Sequence, residues 1–163
     1  MMVEKENILV VHNLGRTDMQ GKGETLRQRL MQIPGVTKTS LAADTPANGN
    51  ESNTSLTKEG DDPSMNMLIG RQSIDFDFFD LYGVDVIAGR VYDRDRETDG
   101  MPSVDGVPED QALSGTLVIN EAAVRRIGYA SPAEAIGQRV MMGVSQSRTA
   151  AMEIIGVIRD MQF

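Results

Sequence analysis

The chain has 163 residues, of which 40% are hydrophobic, and this suits one domain or two small lobes around a core. Its 16 basic and 24 acidic residues give a net charge of −8. That balance argues against a nucleic acid or an anionic lipid surface as the main partner, because both are bound through clustered Lys and Arg. The absence of cysteine excludes disulfides, thiol catalysis and zinc–thiolate sites, and His12 is the only histidine.

The first residues carry charges where a secretory signal would have an apolar core, so we expect no signal peptide. No run of about 18 apolar residues occurs, so we expect no membrane-spanning helix in the chain.

The first elements predict a β-α-β unit. Residues 7–12 form a short apolar run rich in β-branched side chains, which is typical of a covered strand. Leu26, Leu30 and Ile33 fall on one stripe of a helix that ends before Pro34. Residues 36–43 are predicted to be the second strand.

The middle of the chain alternates between polar loops and short elements. Residues 44–63 have almost no large apolar side chain and are predicted to be a long exposed loop. A strand is expected over 65–74, followed by a short helix over 75–82 with an acidic start. Residues 93–113 are predicted to be another loop.

The last third predicts a strand at 116–119 and a helix that begins after Asn120, whose side chain suits an N-cap. Residues 131–134, Ser-Pro-Ala-Glu, form a capping box for a second short helix. Two strands are expected over 138–142 and 151–160. The periodicity therefore predicts an α+β fold.

Motifs for chemistry fail at defined positions. Glycines at 15–23 imitate a phosphate loop, but the spacing to Lys22 is wrong and Gly23 replaces the hydroxyl residue. Asp95 begins a calcium-loop pattern whose position 12 falls on Gly106, which cannot supply the required carboxylate. A weak calcium site near 93–100 stays open at this point.

Two further patterns have structural explanations. Residues 143–147 imitate a nucleophile elbow, but Ser147 replaces its closing glycine, and His12 is simpler as a residue at the end of a strand. Asp75, Asp77 and Asp80 suit the acidic start of a helix better than a catalytic carboxylate cluster.

Three longer stretches are familiar together: residues 75–90, which contain DFDFFDLYG and IAGR; residues 117–137, which contain LVINEAA and SPAEAIG; and residues 154–163, IIGVIRDMQF. In this order they resemble the extracytoplasmic core domain of MacB/FtsX-type ABC transporter permeases. The corner at 33–36, Ile-Pro-Gly-Val, fits the same family. The residues that carry the resemblance, as structural signature positions, are Pro34, Gly35, Phe78, Phe79, Gly89, Arg90, Asn120, Glu121, Gly137, Gly156, Val157 and Asp160.

The resemblance implies a two-lobed periplasmic domain of an inner-membrane protein, with a β-α-β lobe and a more β-rich lobe that bears the loops. We expect residues 1–74 to form mainly the first lobe and residues 75–163 mainly the second. The last strand, 151–161, either belongs to the second lobe or returns to the first. Because the family's chain continues past this strand, we also expect the chain to be an excerpt of a longer membrane protein.

The resemblance further implies that the domain is not an enzyme and has no catalytic, metal or cofactor site. ATP would be hydrolysed by a separate cytoplasmic subunit or domain. The implied partners are that ATPase, a periplasmic adaptor protein and a second permease in the full complex. Transmission of ATP-driven motion for efflux, lipoprotein release or regulation of cell-wall hydrolases is the expected function, and the alternative is a sensing domain that binds a peptide or an antibiotic.

Overall fold

The computed structural model describes residues 7–12, 21–43 and 52–161, and it confirms the α+β class. The strands in this part of the chain are β1 (Ser52–Lys58), β2 (Met67–Arg71), β3 (Val86–Gly89), β4 (Leu113–Asn120), β5 (Arg139–Gly143) and β6 (Thr149–Ile158). The helices are α1 (Gly23–Leu30), α2 (Phe78–Leu81), α3 (Glu121–Ile127) and α4 (Pro132–Ala135).

The strands form one mixed sheet with β6 at its centre. β6 pairs in parallel with β4 along nearly its whole length, and it pairs in antiparallel fashion with β5 and then with β3. β1 follows β5, and β2 is the last strand beyond β1. β6 takes the central place because its sequence, TAAMEIIGVI, is apolar enough to be covered on both faces.

The core lies on this sheet and is closed by the helix that follows β4. Val140, Met152, Ile154 and Val157 have no exposed surface. The helix α3 contributes three buried residues, Ala123, Val124 and Ile127, which are spaced to lie on one face. The parallel pairing of β4 and β6 therefore places the start of α3 beside the end of β6.

The chain divides into two compact units. The sheet unit contains the described residues 52–71 and 85–161, and the small unit contains residues 7–12, 21–43 and 72–84. This division differs from the predicted boundary at residue 74. The hairpin of β1 and β2 belongs to the sheet unit because β1 pairs with β5, and the last strand, β6, lies in the sheet unit as well.

The predicted strands at 7–12 and 36–43 are wrong. Residues 7–12 form no ladder in the described part of the chain, and residues 36–43 contribute only an isolated bridge between Ala42 and Ile74. An apolar, β-branched run predicts a covered strand, but none of residues 7–12 or 36–43 is buried in the structure, and a strand also needs a hydrogen-bonded neighbour. The pattern of the run contains no information about that neighbour.

The predicted loop over 44–63 is also wrong in part, since β1 occupies 52–58, while 44–51 lie outside the described residues. The side chains of β1 are mostly Ser, Thr and Asn, so its sequence lacks the apolar alternation that predicts a strand. Only Thr54 and Leu56 are buried, and Leu56 lies opposite Met67 on one side and Met142 on the other. Leu56 is thus the one buried apolar side chain of β1, and it lies between two apolar neighbours.

Candidate functional site

A cleft of about 290 Å³ lies within the small unit, between α1, α2 and the segments 7–11 and 36–42. No residue of α1 is buried, and Leu26 and Leu30 are half-buried where they line the cleft. The apolar side chains that line it include Ile8, Val10, Leu26, Leu30, Val36, Phe78, Leu81 and Tyr82. Such a lining suits an apolar ligand segment.

Ion pairs and hydrogen bonds hold the walls of this cleft together. Arg27 of α1 donates from Nη1 to Asp77 Oδ2 at 2.8 Å, and Lys38 Nζ lies 2.7 Å from Asp80 Oδ2. Asp75 accepts hydrogen bonds from Ser40 Oγ at 2.6 Å and from the backbone N–H of residue 41 at 2.8 Å. The carboxylates of Asp75, Asp77 and Asp80 therefore connect segments of the small unit. The sequence alone could have suggested acid–base catalysis by these three residues.

The wall of the cleft also contains the hydroxyl oxygen of Thr39, Oγ1, which is buried and has no hydrogen-bond partner among the described residues. Solvent does not reach this oxygen, so a ligand in the cleft could not bond to it without rearrangement. An unmet hydroxyl costs about 1–3 kcal/mol. The cleft therefore has an apolar lining, and the charged side chains beside it are engaged in ion pairs. These features fit the binding of a ligand better than catalysis.

In the sheet unit, the loop that follows β3 is held by a buried charge. The side chain of Asp99 has 0% exposed surface, and both its oxygens accept from Arg90, with Nη2–Oδ1 at 2.8 Å. Asp99 also accepts the backbone N–H of Asp93 at 2.9 Å. The guanidinium of Arg90 holds the pKa of Asp99 below its ordinary value although burial opposes this.

The same loop covers the outer edge of β4. Tyr92 Oη accepts the N–H of Val118 at 3.1 Å, and the carbonyl of Gly100 accepts the N–H of Thr116 at 3.0 Å. Burial raises the pKa of Tyr92, so this hydroxyl stays neutral. The loop 90–100 thus supplies partners to backbone groups that an edge strand would otherwise leave open.

A second loop, over residues 107–111, is held by Arg148, which directly precedes β6. Its guanidinium donates to three backbone carbonyls, those of Val107 at 3.1 Å, Pro108 at 3.1 Å and Gln111 at 2.7 Å. Arg148, Tyr92 and Asp99 were not among the predicted site residues. Each of these side chains bonds to backbone or side-chain groups far along the chain. A single polar residue in a loop belongs to no periodic pattern, so the sequence could not indicate these contacts.

Several signature positions meet where β4 and β6 end. Asn120 Oδ1 caps α3 by accepting the N–H of Ala123 at 2.9 Å. Asp160 accepts the N–H of Ala122 at 2.7 Å and pairs with Arg125 at 2.7 Å, and Glu121 accepts the N–H of Asp160 at 3.3 Å. Burial alone would raise the pKa of Asp160, but the hydrogen bonds from Arg125 and Ala122 hold it below its ordinary value.

Four other signature positions meet where β3 and β6 pair. Gly89 lies opposite Gly156, and the N–H of Arg90 donates to the carbonyl of Ile155 at 2.9 Å. A Cβ at Gly156 would collide with the carbonyl oxygen of Arg90, and a Cβ at Gly89 with that of Ile155. Gly89 also has a φ of +69°, and the neighbouring Val157 is fully buried. The two glycines are required by the close approach of two backbones.

The remaining signature positions lie in turns and in the small unit. Gly35 has a φ of +93° and lines the cleft after Pro34, while Gly137 has a φ of +78° at the end of α4. Phe78 and Phe79 are buried in the small unit, with their rings edge to face at 5.9 Å. The positions therefore form separate clusters and are not gathered in one site.

The chemical motifs that the sequence imitates have no matching geometry in the described residues. No group of three or more potential metal ligands is present in this part of the chain, and both oxygens of Asp99 are bound by Arg90. Residues 145–147 form an exposed bend before β6. Most of the glycine-rich segment at 15–23 lies outside the described residues.

Comparison with known proteins gives a likeness of fold. No protein-family model matches the chain, and no curated protein matches it. Its fold is similar to a crystal structure of a domain of a "putative Permease protein" from Porphyromonas gingivalis, with a TM-score of 0.51 and 21% identity. The alignment covers 81% of this chain and 47% of that one, so the chain spans about half of its neighbour's length.

None of the helices in the described residues is long and apolar enough to cross a lipid bilayer.

Proposed function

We propose that the chain is the extracytoplasmic domain of a MacB/FtsX-type ABC transporter permease. In this role it catalyses no reaction itself and transmits ATP-driven motion to periplasmic partners or to substrate. The observation that carries the proposal is the fold shared over 81% of the chain with the domain of the "putative Permease protein". The order of the signature stretches in the sequence supports it independently.

The two units differ in their internal packing, and this difference is compatible with a mechanical role. The sheet unit has a continuous apolar core and several positions that accept no side chain, so it is suited to move as one body. The small unit has no buried residue in α1, and ion pairs at partly exposed positions join its segments. Regions of low burial are the usual places where proteins rearrange.

In the proposed complex, ATP binds a separate cytoplasmic subunit or domain, and this domain lies in the periplasm of a bacterium. Its partners would be that ATPase, a second permease and a periplasmic adaptor protein. Efflux, lipoprotein release and regulation of cell-wall hydrolases are the transport-linked processes that such a domain would serve.

Hydrogen exchange of the full-length transporter tests the transmitted motion. In nanodiscs, we expect the deuterium uptake of peptides from residues 21–43 and 72–84 to change when ATP is bound. A variant of the ATPase that cannot bind ATP is the control and should show no change. If every peptide of this domain exchanged alike with and without ATP, while the ATPase became protected, the mechanical role would be wrong.

The cleft in the small unit supports a second candidate, a domain that binds a peptide or an antibiotic and so biases the transporter between two states. Because the chain has no tryptophan, Leu30→Trp would introduce a single reporter into the cleft wall. Saturable quenching by a macrolide or a leucine-rich pentapeptide would favour this candidate. Met101→Trp, at an exposed position in the sheet unit, is the matched control and should not respond.

A further inference from the structure

The polar stretch between β3 and β4 contains two Asp-Gly pairs, Asp99-Gly100 and Asp105-Gly106. An aspartate that precedes glycine can close a succinimide ring, because glycine has no Cβ to obstruct the approach of its backbone nitrogen to the carboxyl carbon. Water then opens the ring on either side and leaves aspartate or isoaspartate. Whether a given pair reacts depends on how the fold holds its carboxyl group and its backbone nitrogen.

The first pair is held in an unreactive arrangement. Both carboxylate oxygens of Asp99 accept from Arg90, and its side chain has no exposed surface. The N–H of Gly100 donates to Thr116 Oγ1 at 2.8 Å. The guanidinium of Arg90 also holds the pKa of Asp99 below its ordinary value, so the neutral carboxyl group that loses water readily is rare. The fold therefore engages both groups that would have to react.

The second pair lacks these restraints. Asp105 and Gly106 are exposed, and in the described part of the chain neither the carboxylate of Asp105 nor the N–H of Gly106 has a hydrogen-bond partner. The pair lies in a weakly closed turn, in which the nitrogen of Val107 is 3.5 Å from the carbonyl oxygen of Val104. The N–H of Asp105 donates to Ser103 Oγ at 3.3 Å, and this contact involves neither reacting group. Few contacts therefore oppose the rotation that ring closure requires.

We propose that Asp105-Gly106 is a modification site, at which the folded chain converts aspartate to isoaspartate without an enzyme. In the first step the backbone nitrogen of Gly106 bonds to Cγ of Asp105, and the carboxyl hydroxyl leaves with the amide proton as water. In the second step water adds to one of the two ring carbonyls. Cleavage of the bond between the nitrogen and Cγ restores aspartate, whereas cleavage of the bond between the nitrogen and the main-chain carbonyl carbon leaves isoaspartate. The water that is lost is regained, so the mass of the chain does not change.

The proposed site lies between two anchored residues. Val104 and Val107 are half-buried and pack against the core of the sheet unit, and the carbonyl of Val107 accepts from Arg148. Isoaspartate leads the main chain through the side-chain methylene, so the path between the two valines becomes one atom longer. We therefore expect the conversion to loosen the loop 107–111 from the sheet unit.

Peptide mapping of the aged 163-residue chain tests this inference. A folded sample and a sample in guanidinium chloride are kept at neutral pH for several weeks, and electron-transfer fragmentation then distinguishes isoaspartate from aspartate at each site. In the denaturant the two pairs should convert at similar rates, since a β-branched residue, Thr98 or Val104, precedes each aspartate. In the folded chain Asp105 should convert at least about tenfold faster than Asp99, because Asp99 must first leave its charged hydrogen bonds with Arg90.

A variant at the glycine identifies the attacking nitrogen. Gly106→Ala places a Cβ beside that nitrogen, in open space, and should suppress isoaspartate at residue 105, while circular dichroism confirms that the variant is folded. The sequence pair Asn48-Gly49 can form the same ring, but it releases ammonia, so its products differ in mass from asparagine and are assigned separately. The inference would be overturned if Asp105 stayed unchanged in the folded chain. Equal conversion of Asp99 and Asp105 in the folded chain would overturn it as well.

Discussion

At the scale of single residues, Asp99 is the most consequential polar side chain of the sheet unit. It is fully buried, and its partner Arg90 is 35% exposed, so the pair is only partly shielded from solvent. A charged hydrogen bond of this kind contributes about 1.5–3 kcal/mol. Because the loop 90–100 also covers β4, loss of this contact should affect more than the loop.

Replacing Asp99 with Asn should lower the free energy of unfolding by about 1–3 kcal/mol at neutral pH, measured by urea denaturation. The pKa of Asp99 is lowered in the folded state, so its contribution is complete above the unfolded value of about 3.9. It is lost as the pH falls through the lower pKa of the folded state. The difference between parent and Asp99→Asn should therefore shrink at about pH 2.5.

Asp95→Asn is the matched control for this experiment, since Asp95 is exposed in the same loop. It should change stability little at either pH. A difference between parent and Asp99→Asn that persisted at low pH would show that the charge of Asp99 is not the source of the effect.

Two glycines with a positive φ, Gly89 and Gly137, give a second prediction at this scale. Gly137→Ala should cost about 1–2 kcal/mol, because its φ of +78° disfavours a side chain while the space around it is open. Gly89→Ala has the same conformational cost and adds a collision with the carbonyl of Ile155, so it should cost clearly more in urea denaturation. Equal costs for the two variants would mean that the backbones of β3 and β6 can separate without penalty.

At the scale of elements, α3 is fixed by the end of β6 as well as by its own cap. Asp160→Ala removes the acceptor for the N–H of Ala122 and should cost about 1–2 kcal/mol in urea denaturation. Arg125→Ala removes only a solvent-exposed ion pair and should cost less than about 1 kcal/mol. If Arg125→Ala cost as much as Asp160→Ala, the ion pair would be the main contact instead of the hydrogen bond to the helix.

The sequence predicts these elements unequally, for physical reasons. In the last third, caps and hydrophobic periodicity agree, and the structure has α3, α4, β5 and β6 close to their expected bounds. In the first third, the apolar runs at 7–12 and 36–43 predict covered strands but cannot specify a pairing partner. β1 could not be predicted for two reasons. Its side chains are mostly polar, and its place in the sheet depends on pairing with β5, far along the chain.

The candidate sites could likewise be predicted from the sequence only in part. The two close-packed glycines and the cap at Asn120 belong to recognisable sequence stretches, so their positions could be singled out. The cleft could not, because it depends on how four separate segments meet within the small unit. The roles of Asp99, Tyr92 and Arg148 likewise arise from contacts with distant backbone groups.

At the scale of the whole molecule, different evidence supports the fold and the proposed function. The α+β class follows from the strands and helices themselves, and the likeness to a permease domain extends over 81% of the chain. The place of this domain outside the cytoplasmic membrane is the central claim of the proposal. The claim concerns the full-length permease that we propose, so the test uses that protein in its membrane.

The most direct measurement is cysteine labelling of the full-length protein in intact cells. Because this chain has no cysteine, Glu97→Cys in the exposed loop after β3 gives a single reactive site once cysteines elsewhere are removed. A cysteine in the ATPase serves as the cytoplasmic control. We predict that a membrane-impermeant maleimide labels Glu97→Cys before lysis and labels the control only afterwards. Labelling of Glu97→Cys only after lysis would contradict an extracytoplasmic domain.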